Sequence, residues 1–170
     1  MDHIRAPVRS RVEGMTTTPR MEMWKVAPAV AKGMYAFQKA ATEQGLDPVV
    51  QELVKIRASQ LNKCAYCLDM HLADARKNGE DQLRLDLIVA WEEAGDLFTE
   101  REQAALALTE AVTVLTDGHV PDEVYQRAAT HFDENELAAL IAQITAINAW
   151  NRFAVTTRAV PQTLADRRNG

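Results

Sequence analysis

The chain has little of what holds a small extracellular fold together. Two cysteines among 170 residues are too few for a disulfide scaffold. Glycine and proline are scarce, at 7 and 6 copies, and they cluster at apparent boundaries, which leaves long stretches free of helix breakers. Aromatic residues make up only 6%. The first twenty residues hold no apolar run of the kind that heads a secretory leader. Nowhere is there the uninterrupted apolar stretch of about twenty residues that a membrane span needs. A cytoplasmic location, away from membranes, is therefore expected. Positive charge is in deficit too. Against 24 Asp and Glu stand 19 Lys and Arg, for a net charge of −5, which argues against nucleic acid or an anionic membrane surface as the main partner. Strand-like alternation, internal repeats and low-complexity runs are all missing.

What the chain has in quantity is alanine, with 27 copies. Alanine loses no side-chain entropy in a helix, so this bias favours helix over sheet. With 47% hydrophobic and 25% charged residues, both ordinary for a globular protein, a chain of this length reads as one all-α domain with a real core. The expected organisation is a polar, threonine-rich N-terminal arm over 1–20, a helical domain over 21–158 and a polar, loop-like tail over 159–170. Helical apolar spacing predicts about seven helices in the domain. The first runs from about Met21, through Pro28, to Gly45. The second starts at Asp47-Pro48, an N-cap followed by proline at the first helical position. A third is opened by Cys64 and stopped at Asn78-Gly79. A fourth covers 81–90. A fifth, launched by the capping box Thr99–Glu102, carries through Leu115 to a stop at Asp117-Gly118. A sixth runs from Pro121 to about Phe132. The last follows the Asp133–Glu136 capping box and reaches about Thr157. It is apolar over much of its circumference, as a helix buried centrally or at a subunit interface would be. Asn148 and Asn151, one turn apart in it, are expected to bond across a helix interface. Trp24, Trp91 and Trp150 read as core or interface anchors, His3 as solvated, His119 as a turn residue and His131 as a helix-end residue.

Both cysteines fall in one stretch, Cys64-Ala-Tyr-Cys67-Leu-Asp-Met-His71. On an ideal helix Cys64, Cys67 and His71 lie within roughly 60° of one another, with Tyr66 on the opposite side. A thiol at a helix's first turn meets exposed amides and the positive end of the dipole, which favour thiolate. A thiolate can attack a peroxide oxygen and become a sulfenic acid, which a neighbouring thiol condenses to a disulfide. The departing group needs a proton, which an acid/base pair can deliver. Glu52, on the preceding helix, lies beside its apolar stripe, where a carboxylate could be drawn into a pocket. Other readings of the same residues stay open. A thioredoxin-like motif would follow a strand, and none is visible. Zinc could be held by Cys64, Cys67, His71 and Glu52. The thiols could also be inert core residues.

The pattern Glu-x(11)-Cys-x-x-Cys-x-x-x-His, from Glu52 to His71, resembles the core motif of the alkylhydroperoxidase D and carboxymuconolactone decarboxylase superfamily. More loosely the likeness takes in the remaining helices, including Leu97–Glu102 and Asn148–Phe153. The resemblance implies an all-helical bundle assembled as a trimer or hexamer. It also implies a thiol-dependent hydroperoxide reductase that needs no cofactor and no metal. Glu52 and His71 would form the proton relay, Cys67 the peroxide-attacking thiol, and Cys64 the more accessible resolving thiol. Where the best-known members carry a second histidine between the cysteines this chain has Tyr66, a possible neighbour of the site. A lipoylated or thioredoxin-like protein is the reductant the resemblance implies. The superfamily's other activity, decarboxylation of the γ-carboxymuconolactone type, occurs in members that generally lack the dithiol. A non-enzymatic redox-sensing oligomer is a third possibility.

Overall fold

The computed structural model describes residues 18–169; of the expected N-terminal arm, residues 1–17 lie outside the described residues. Nine α-helices and no strand occur among the described residues: α1 Met23–Val26, α2 Pro28–Thr42, α3 Pro48–Leu61, α4 Ala65–Lys77, α5 Gln82–Leu87, α6 Glu100–Thr113, α7 Asp122–His131, α8 Glu134–Thr157 and α9 Gln162–Asn169. Two 3₁₀ segments, Ile88–Glu93 and Gly95–Leu97, join α5 to α6. The all-α expectation holds, and each of the seven expected helices is present. No helix among the described residues is long and apolar enough to cross a membrane.

The differences from expectation have local causes. The first expected helix is two, because Ala27 takes φ −127°, ψ 65° ahead of Pro28. Proline clashes with a helical residue before it and has no N–H to continue the ladder, but it is well suited to start a new helix. The fifth helix stops at Thr113 rather than beyond Leu115, with Val114 at φ −112°, ψ 54°; the β-branched run Val112-Thr113-Val114 is a poor helix continuation. The tail over 159–170 is not a loop. It contains α9, whose Thr163 N–H donates to Asp69 Oδ2 of α4 at 3.0 Å, and a side-chain partner that remote leaves no periodic signal.

The caps were legible. Asp47 accepts from Val49 N at 2.7 Å, and both capping boxes, Thr99/Glu102 and Asp133/Glu136, are closed.

One helix reaches every part of the core. Val50 and Val54 of α3 pack with α6, α7 and α8 through Leu108, Ala128, Leu140 and Ile144. Leu53 and Ile56 pack with Ile88, Trp91, Phe98 and Leu106, and Ala58 packs with both cysteines and Ile147. α3 is thus buried nearly all round from Val50 to Ser59, polar residues included.

The polar groups it carries inward are met from α8. Gln143 Nε2 donates to Gln51 Oε1 at 2.9 Å, Asn151 Nδ2 to Ser59 Oγ at 3.0 Å, and Asn62 Nδ2 to the Oδ1 atoms of Asn148 and Asn151, each at 2.9 Å. The expected bonding of Asn148 and Asn151 across a helix interface is this contact. Trp91 is buried in the core, whereas Trp24 and Trp150 are half-buried and meet edge to face at 5.1 Å.

Candidate active site

The α3–α4 corner positions the cysteines. Lys63 adopts φ 54°, Lys63 N donates to Gln60 O at 3.1 Å, and Cys64 N donates to Ser59 O at 2.9 Å. These two bonds are those of a Schellman motif, with lysine where glycine is usual. The left-handed conformation costs an L-residue about 1 kcal/mol. Lys63→Gly is accordingly expected to raise the free energy of unfolding by about 0.5–1 kcal/mol, measured as a shift of the urea midpoint at unchanged slope.

The corner makes Cys64 the N-cap of α4, in extended backbone, with its Sγ accepting from Cys67 N at 3.3 Å. The two cysteines are joined as a disulfide, with Cα atoms 5.4 Å apart, inside the usual range for such a bridge. Both are buried, at 1% and 2% exposure, packed against Ala58, Ile147, Trp150 and Ala154. The two sulfurs differ in what lies beside them. A cavity of about 590 Å³ is lined by Cys67 but not by Cys64. The resemblance implies that Cys64 is the more accessible thiol; here both are equally buried, and only Cys67 lines the cavity. Cys64 is the N-cap of α4 and Cys67 follows one turn later.

Glu52 and His71 meet across α3 and α4, with Glu52 Oε2 3.1 Å from His71 Nδ1. A carboxylate only accepts, so this contact puts the proton of a neutral His71 on Nδ1 and leaves Nε2 free as a base. The other carboxylate oxygen is taken by a residue that sequence reasoning missed. Lys55 Nζ lies 2.8 Å from Glu52 Oε1. The available signal was its place three residues after Glu52 on the same helix. Burial pushes the Glu52 carboxyl up, but the His71 hydrogen bond and the charge and hydrogen bond of Lys55 outweigh it, and the pKa stands below its ordinary 4.5. Glu52, Lys55, His71 and Cys67 line the same cavity, with an apolar and aromatic wall from Trp24, Tyr35, Tyr66, Met70, Ile147 and Trp150 and further polar residues, Glu22, Lys25, Gln38, Thr42, Asp74 and Thr157, around it. Tyr66, which an ideal wheel sets opposite the cysteines, is on this wall. Cys64 is a cap residue outside the wheel, and a cavity this wide takes in the neighbouring Tyr66–Met70 stripe. His119 and His131 do not line this cavity. Among the described residues no three His, Cys, Asp or Glu side chains are grouped to hold a metal ion.

Glu102 shares the depressed titration of Glu52. Burial pushes it up, but Arg84 and the Thr99 cap hold it below 4.5, with Arg84 Nη2 2.6 Å from Glu102 Oε1. A carboxylate whose folded pKa is depressed contributes stability that is fully present above its unfolded pKa and is lost as pH falls through the folded value. Urea stability is therefore expected to fall as pH drops below 4.5. Glu52→Gln and Glu102→Gln should each flatten that fall; an unchanged acid limb in both would contradict the pairing.

The fold and the Glu52–His71 sequence pattern define the class, the alkylhydroperoxidase D-like and carboxymuconolactone decarboxylase superfamily. Within it the chain belongs to the carboxymuconolactone decarboxylase family, whose profile matches residues 28–111. A similar relative, the uncharacterized protein YdfG of Bacillus subtilis (strain 168), is 40% identical over 136 residues, spanning 80% of this chain and 92% of its own. Among solved structures, a protein of unknown function from Agrobacterium tumefaciens, regarded as a candidate antioxidant defence protein AhpD, superposes with a TM-score of 0.82 at 33% identity, over 85% of this chain and 98% of its own. The debrominase Bmp8 shares the fold, with a TM-score of 0.72 at 18% identity over 81% of this chain and 74% of its own.

Proposed function

We propose that this protein is a thiol-dependent hydroperoxide reductase that works through the Cys64/Cys67 dithiol. The observation that carries the reading is the placement of Cys67, rather than Cys64, on a largely apolar cavity whose polar end holds the Glu52–His71 pair. In the reduced protein His71 Nε2 takes the Cys67 proton, and the thiolate attacks the distal peroxide oxygen. An S–O bond forms and the O–O bond breaks. The electron pair leaves on the alkoxide, which regains the proton from His71 and departs as the alcohol. Sulfur is oxidised by two electrons to the sulfenic acid. The Cys64 thiol then displaces water from it and gives the disulfide. A dithiol reductant restores the pair, and a lipoylated or thioredoxin-like protein would fit that role. Assembly as a homo-oligomer belongs to the same reading. The Agrobacterium relative's link to antioxidant defence supports it.

The test is the intact mass of the reduced protein before and after one equivalent of organic hydroperoxide. Loss of about two hydrogens, with formation of the disulfide, is expected. No change of mass would overturn the proposal. Steady-state consumption with a dithiol reductant separates an enzyme from a sensor, which would react once and stop.

A further inference from the structure

We infer that Lys55 is a catalytic residue of this site, its ammonium receiving the leaving oxygen of the hydroperoxide. The inference rests on the peroxide-reductase reading and adds to it the cation that the dithiol and the Glu52–His71 pair do not supply. Lysine is almost never buried unless it is held by a partner. Here the residue is 9% exposed. Among the described residues its ammonium donates to Glu52 Oε1, at 2.8 Å. An ammonium has three N–H donors. Lys55 lines the same cavity as Cys67 and His71, so donors remain for a molecule bound there.

The charge inventory makes the role specific. The Lys55 ammonium and the Glu52 carboxylate offset each other at this end of the cavity, which Glu22, Lys25 and Asp74 also line, and His71 Nε2 takes the Cys67 proton. As the thiolate attacks, negative charge moves from Sγ to the oxygen bonded to carbon while the O–O bond opens. A fixed cation beside an apolar wall stabilises that developing alkoxide far more than it would in water. Lys55 thus lowers the barrier for O–O cleavage, and the proton that finally neutralises the alkoxide still comes from His71. A lysine that served only as counter-ion to Glu52 would have no stake in the leaving group, and this difference can be measured.

Single-turnover oxidation of the reduced protein, followed by tryptophan fluorescence, would be compared for peracetic acid, cumene hydroperoxide and tert-butyl hydroperoxide. These span good to poor leaving groups. Lys55→Met is expected to slow tert-butyl hydroperoxide by about 100-fold and peracetic acid by less than about tenfold, so that the rate depends more steeply on leaving-group basicity. Lys55→Arg is expected to restore most of the loss. Equal slowing across the series would overturn the assignment and leave Lys55 a counter-ion. Should Lys55→Met not fold, by its circular dichroism and thermal transition, Lys55→Gln carries the same comparison. Failure of the unmodified protein to oxidise with any of the three would overturn the peroxide reading itself, and Lys55's role with it.

Discussion

Cys67→Ser is expected to abolish hydroperoxide turnover, with a loss of about 10⁴-fold or more of the kind seen when an enzyme's nucleophile is removed. Cys64→Ser is expected to retain the first oxidation and then stall. The asymmetry follows from the walls of the cavity, which Cys67 lines and Cys64 does not. Cys64 Sγ is instead held at the N-cap of α4 by the Cys67 amide, 3.3 Å away. On the proposed function, a hydroperoxide in the cavity would therefore lie against Cys67 rather than Cys64. In Cys64→Ser the sulfenic acid on Cys67 has no thiol to condense with, so it should accumulate after one equivalent of peroxide and be trapped by dimedone as a stable adduct. In Cys67→Ser no adduct should form. Steady-state kinetics and intact mass on the two variants decide the matter, and full turnover by Cys67→Ser would remove Cys67 from the mechanism.

Asn151→Ala is expected to lower the free energy of unfolding by about 3 kcal/mol, combining orphaned hydrogen-bond partners with a small cavity. Asn151 is fully buried, and its two polar atoms tie α8 to α3, through Asn62 Nδ2 and Ser59 Oγ. Removing the amide leaves the Ser59 hydroxyl without this partner in the interior and strips one of the acceptors from Asn62. Asn62 immediately precedes Lys63 and Cys64, so the same bonds brace the corner that presents the dithiol. Urea unfolding followed by circular dichroism measures the effect. A loss below about 1 kcal/mol would mean that the remaining acceptors of Asn62, Ala58 O and Asn148 Oδ1, suffice to hold the interface.

Much of the fold could be read from the sequence because its signals are local. Asp47-Pro48, the two capping boxes and Asn78-Gly79 act through bonds to backbone a few residues away, and the structure places helix ends at each. The apolar circumference of α8 pointed to a central place or a subunit interface, and within the chain α8 is buried through much of its length. α3 is equally central, yet Gln51, Glu52, Lys55 and Ser59 interrupt its apolar pattern, so the sequence does not mark it as buried all round. Those residues are inside because Gln143 and Asn151 of α8 and His71 of α4 meet them, across separations of up to 92 residues.

The sequence by itself therefore determined the all-helical class, the helix ends and a C-x-x-C pair at the start of a helix with a histidine one turn on. The tertiary structure decided which cysteine faces the cavity. It also joined Lys55 to Glu52 and His71, and it gathered Trp24, Tyr35 and Trp150 into the cavity wall. The physical reason is that propensity, capping and dipole effects are confined to about one turn of helix. Burial of a charged or polar side chain depends instead on partners that only folding brings within hydrogen-bond reach.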